Sequence, residues 1–139
     1  MALTASRFYD TVGRTSVLRG VLPTGVAFFK GGMVQWDAST GLIKKPADVA
    51  GEYGIGVLVK DYPSTSVAGT FCEIETGKIW IPFASAAQTD VGDWVYLTDD
   101  AVITKAALTN GGPAGIAVDF KTGFLLVDFT RGGPKTLSA

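Results

Sequence analysis

Short apolar runs and frequent breakers constrain this chain more than any other feature. From Val21 onward, runs rich in Val, Ile, Phe, Trp and Tyr are interrupted by Gly, Pro, Asn or Asp every 8–12 residues. That spacing is the signature of a β-sandwich or barrel, because each run fits one strand and each breaker one turn. Strands are expected over 25–30, 32–37, 54–60, 70–75, 78–83, 93–98, 101–105, 114–120 and 124–129. Residues 84–90 have room for a helical turn, but the segment is too short and polar for a packed helix.

An internal repeat organises these strands. Residues 32–51 align without gaps on 92–111, at an offset of 60. Gly32 matches Gly92, Val34 matches Trp94 and Trp36 matches Tyr96; Ile43 matches Ile103, Lys45 matches Lys105 and Gly51 matches Gly111. After one inserted residue, 54–57 matches 115–118. A period of this length occurring twice is not a solenoid. It predicts two similar β-meanders, each covering the apolar face of the other.

A tight hairpin is expected within 70–83. Thr76 and Gly77 fit a two-residue turn in which Gly supplies the positive φ. In that register Ile74 faces Ile79 and Cys72 faces Ile81 on an apolar side. Glu75 opposes Lys78 and Glu73 opposes Trp80 on the polar side. Cys72 then reads as a core residue, and Trp80 as an exposed aromatic that either covers its neighbours or anchors a partner.

Composition narrows the function. The 139 residues suit one domain, and 47% apolar residues argue against disorder. There is no histidine, so the commonest general base and metal ligand is missing. One cysteine permits no intrachain disulfide, which fits a reducing compartment. No apolar run approaches the roughly 20 residues that span a bilayer, and no membrane partner is expected. The opening MALTASRFYD does not read as a signal peptide. Three Gly-Gly pairs, at 31–32, 111–112 and 132–133, lack the Lys-Ser/Thr of a phosphate loop and read as turns.

Charge is unevenly placed. Residues 1–30 hold Arg7, Arg14, Arg19 and Lys30 against Asp10 alone, while the remainder holds eight basic and twelve acidic residues. A basic arm on an acidic body suits docking to an acidic surface. Without a dense basic patch interleaved with aromatics, nucleic acid is not an expected partner. The expected organisation is an extended N-terminal arm over 1–20, a β-barrel domain over 21–131 and a C-terminal tail over 132–139. The partner-contact candidates are Arg7, Phe8, Tyr9, Arg14 and Arg19 in the arm, with Trp80 as an oligomer or partner contact. Asp90, Asp93, Asp99 and Asp100 form an acidic run. It reads as turn chemistry in place of a calcium site, so no metal, cofactor-binding or catalytic residue is assigned.

The stretch 79–105, IWIPFASAAQTDVGDWVYLTDDAVITK, resembles the middle of the small head decoration (cement) proteins of tailed phages. The family pattern is an apolar strand, a small-residue connector, a Gly-Asp turn (here Gly92 and Asp93) and a strand carrying Val95 and Tyr96. Residues 25–43 and 112–129 fit the flanking pattern, so the likeness covers roughly 20–130. The resemblance implies a small β-barrel or β-tulip that stabilises an assembled capsid from outside, with no enzymatic activity and no cofactor. Its partners would be the major capsid protein and itself, as a homotrimer. Its place would be the outer capsid surface of the virion, after synthesis in the host cytoplasm. The alternatives are another phage structural β-module (fibre, head-to-tail or baseplate element) and a carbohydrate-binding β-domain. Deleting residues 1–20 is expected to leave a folded body with weakened shell binding.

Overall fold

Phe71–Pro82 forms one unbroken twelve-residue strand, β5, around which the rest of the chain is arranged. The structure, a computed structural model, describes residues 2–67 and 69–135. The other strands are β1 (Asp10–Val21), β2 (Met33–Trp36), β3 (Ile43–Lys44), β4 (Gly54–Leu58), β6 (Trp94–Leu97), β7 (Ile103–Thr104), β8 (Gly115–Lys121) and β9 (Phe124–Asp128). They form an all-β fold: a curled antiparallel sheet that makes a half-barrel, in the order β3-β2-β4-β5-β9-β8-β6-β7, with β1 also paired to β5. The helical turn allowed over 84–90 is a 3-10 turn at Gln88–Asp90. No helix among the described residues is long and apolar enough to cross a membrane.

β5 is shared between two half-sheets. Glu75 pairs with both Val17 and Val57, and Ile79 with both Thr11 and Val127. A strand residue has two edges, so β1 holds one edge of β5 while β4 and β9 divide the other. The two half-sheets part at Thr76 and Gly77.

The hairpin expected at those residues is absent, and β5 runs straight through. Its apparent halves do not face each other, because β1 supplies partners on both sides of Gly77, from Phe71 to Thr76 and from Lys78 to Trp80. Gly77 has φ +131, but the conformation serves close approach rather than a turn: a Cβ there would lie 3.0 Å from Thr15 Cγ2. The β1–β5 register moves from Val12↔Lys78 to Ser16↔Thr76, so residues 13–15 pass over Gly77 as a bulge.

Alternation along β5 then places two cores. Cys72 and Ile74 enter one cluster with Leu22, Phe28, Val34, Ile43 and Leu58. Ile79 and Ile81 enter the other, with Met33, Val57, Val95, Leu97, Leu125 and Val127. Neighbours Met33 and Val34 in β2, and Val57 and Leu58 in β4, go to different clusters. Successive strand residues face opposite sides, so the two cores lie on opposite faces of the curled sheet. This also explains why β4 is buried throughout.

The repeat appears as matching half-sheets. β2 pairs with β3 and β4, as β6 pairs with β7 and β8. Gln35↔Gly54 in one unit corresponds to Val95↔Gly115 in the other. The gapless alignment slips at the hairpin: Asp37 N–H closes its turn on Leu42 O, whereas Thr98 N–H closes on Val102 O, one residue sooner. On the hairpin side, therefore, Trp36, paired with Ile43, takes the place that Leu97, paired with Ile103, takes in the second unit.

Residues 1–20, read from sequence as an arm, become strand at Asp10. Within the segment read as a tail, Gly133 N–H bonds Pro113 O and Lys135 Nζ bonds Leu108 O, while 136–139 lie outside the described residues.

Candidate functional site

The back of the β1–β5–β9 ladder carries a cleft of about 370 Å³ between the segment leading into β1 and the β8–β9 hairpin. Its origin is the alternation of β5: Ile79 and Ile81 point into a core, so Trp80 and Pro82 are left on the outer face. The ladder sets Asp10 beside Trp80 and Phe124 beside Pro82, and the hairpin sets Lys121 beside Phe124. Phe8, 81% exposed, closes one side.

Lys121 holds the cleft together. Its ammonium lies 4.5 Å from the Trp80 ring centroid and 5.1 Å from that of Phe124. A cation over a ring face is attracted by the ring quadrupole, by about 0.5–1 kcal/mol when exposed. The indole is thereby covered on one face and remains half-buried.

The structure gathers Arg7, Phe8, Tyr9 and Trp80 around this cleft but gives them different jobs. Arg7 is an internal clamp. Its Nη1 donates to Ala101 O at 2.8 Å and its Nη2 to Gly31 O at 3.1 Å, while its own N–H donates to Lys30 O at 2.7 Å. Burial pulls the guanidinium below its ordinary pKa, against the pull of Asp100 and Asp99. Gly31, φ +79, makes this docking possible: a Cβ there would sit 2.3 Å from Arg7 O. Tyr9 packs on the core and donates to Glu75 Oε1 at 2.7 Å. Phe8, between them, points out. Holding its two neighbours fixed presents Phe8 at low entropic cost, since the backbone is already ordered.

Arg14 and Arg19 are elsewhere. Arg14 is exposed in the β1 bulge, and Arg19 lies 4.6 Å over the Phe71 ring beside a separate groove lined by Val17, Lys60 and Tyr62. Lys121, Phe124 and Pro82 were not selected from sequence. The Lys121–Thr122–Gly123–Phe124 turn would have placed Lys121 against Phe124, but their meeting with Trp80 depends on the β5–β9 pairing.

The acidic run is engaged inside the chain. Asp90 accepts from Lys105 and from Ala87 N–H, and Asp93 lies 3.6 Å from the same ammonium. Asp99 accepts from the Ala101 and Val102 amides, and Asp100 from Leu3 N–H at 2.9 Å. Cys72 is buried, and burial pushes its thiol pKa up. Trp36 and Trp94 are half-buried, whereas Tyr96 is buried.

No protein-family model, curated protein or solved structure matches this chain.

Proposed function

We propose that this chain is a decoration protein that binds the outer surface of an assembled tailed-phage capsid and stabilises it by adhesion, without a catalytic step or cofactor. The sequence likeness over roughly 20–130 suggests the class. The observation that carries the reading is Phe8: a phenylalanine 81% exposed, held between the clamped Arg7 and Tyr9, at the rim of a cleft containing Trp80 and Phe124. Exposed aromatics on a rigid support are the usual anchors of protein interfaces. The partner on this reading is the major capsid protein.

The carbohydrate-binding alternative requires an open aromatic face, and Lys121 occupies one face of Trp80. A tail or fibre element would use the same anchor but at one vertex. Co-sedimentation with empty, expanded heads tests the proposal: the intact chain pellets with the heads, and F8A pellets far less. Failure of the intact chain to co-sediment rules the reading out. F8A is a cleaner probe than removal of residues 1–20, which would strip β1 from β5.

A further inference from the structure

We infer that β1 is a self-association edge, pairing antiparallel with β1 of a second copy of this chain. Among the described residues β1 pairs with β5 alone, so the other edge of a twelve-residue strand offers its amides and carbonyls outward. A long edge of this kind is a template for another strand. Three apolar side chains of β1 stay exposed: Val12 at 40%, Val17 at 58% and Leu18 at 36%.

The identity of the occupant follows from the other edges. The path of the sheet ends in β3 and β7, each two residues long. Neither can match the length of β1, so a head-to-tail ring built by strand addition has no complementary edge. β1 against itself is the self-complementary solution, and that contact is two-fold. A two-fold contact between two copies of one strand edge runs antiparallel, so that each copy donates to and accepts from the other alike.

Register follows from parity. The bulge adds two residues to β1 relative to β5, so even-numbered residues on both sides of it share one face of the sheet. Opposed residues of an antiparallel pair share a face, and Val12 opposite Leu18 of the second copy satisfies this. Val12 to Leu18 spans Lys78 to Ile74 of β5, so the two-fold axis passes by Ser16, opposite Thr76 and next to the bulge in which residues 13–15 ride over Gly77.

This inference does not rest on the capsid reading, and its test uses the purified full chain without shells. Sedimentation velocity up to about 0.1 mM should give twice the 14.5 kDa chain mass. V12K should shift it to one chain while the thermal unfolding midpoint is retained. For register, V12C and L18C proteins mixed under mild oxidation should give a disulfide-linked pair, and neither alone should. In this register two copies of residue 12 stand roughly 13 Å apart along the strands, too far for a disulfide, because Val12 to Leu18 spans only Lys78 to Ile74 of β5. A one-chain mass, the three-chain mass that the family resemblance implies, a two-chain mass unaffected by V12K, or equal cross-linking of V12C alone would each overturn the inference.

Discussion

Tyr9 and Glu75 are joined by a 2.7 Å hydrogen bond, and Thr15 donates to the other oxygen of the same carboxylate at 2.6 Å. One side chain on β5 therefore fastens the segment before β1 and the bulge within it. Burial, then the bond to Glu75 and its charge, raises the Tyr9 phenol well above its ordinary 10.0. The folded state thus favours the neutral phenol. That contribution is complete below about pH 10 and is lost as pH rises beyond it, because the unfolded chain deprotonates first. Y9F should cost about 0.5–1.5 kcal/mol at pH 7. Urea denaturation at pH 7 and above pH 10 should show the gap between the two proteins narrowing; a gap constant with pH contradicts this account.

The repeat-related glycines Gly54 and Gly115 should differ when replaced by alanine. At Gly115 a Cβ would meet Asp128 O at 2.2 Å, a backbone atom of the neighbouring strand. At Gly54 it would meet the Leu97 side chain at 2.3 Å and Ala114 Cβ at 2.8 Å. A leucine end can turn aside more readily than a ladder carbonyl. G54A should cost about 1–3 kcal/mol and G115A more than that. Chemical denaturation of the two variants decides it, and equal losses would count against the packing described.

Glu52 is a buried carboxylate, 4% exposed, that receives Gln35 Nε2 at 2.7 Å, Lys44 Nζ at 2.8 Å and Ala38 N–H at 2.9 Å. Burial alone would raise its pKa; Lys44 and the other donors override it and hold the group below its ordinary 4.5. A depressed carboxylate stabilises the fold above its unfolded pKa and loses that contribution as pH falls through the folded value. E52Q should lose about 1–3 kcal/mol at neutral pH. The deficit should shrink in acid, as read from urea midpoints at pH 7 and pH 3.

F8A should separate stability from binding. The ring is mostly in water, so unfolding free energy should change by less than about 0.5 kcal/mol. Shell affinity should fall by at least tenfold, about 1.4 kcal/mol. W80A removes the ring under Lys121 and should lower both.

Cys72 should resist thiol reagents in the native protein, because it is buried and its thiolate is disfavoured. Labelling across a urea series should follow the unfolding transition. Rapid labelling in buffer would place Cys72 outside the core.

The strand content, the two related units and the core position of Cys72 were legible in the sequence, since each rests on local period or composition. Strands formed within the expected 32–37, 54–60, 93–98 and 101–105, whereas 25–30 formed only the Phe28↔Tyr62 bridge and Ile43–Lys44 was not among the expected strands. The Thr76 and Gly77 hairpin did not form, because the same glycine signal serves a turn or a close crossing, and only the presence of Thr15 above Gly77 distinguishes them. The candidate residues of the arm were legible as a group, but not their division of labour. Arg7, Phe8 and Tyr9 look alike as interface residues until Gly31, Ala101 and Glu75 claim two of them.

The sequence by itself determined that this chain is β throughout, because alternation and turn chemistry are properties of neighbouring residues. It also determined that the body is built twice from one pattern. Only the tertiary structure decided that β5 carries both half-sheets on one edge and β1 on the other, that the cores lie on opposite faces, and that Trp80 faces outward beside Lys121 and Phe124. Those relations join residues tens of positions apart. Which strand lies beside which is settled by burying both apolar faces of the curled sheet at once, and no local stretch of the chain contains that condition.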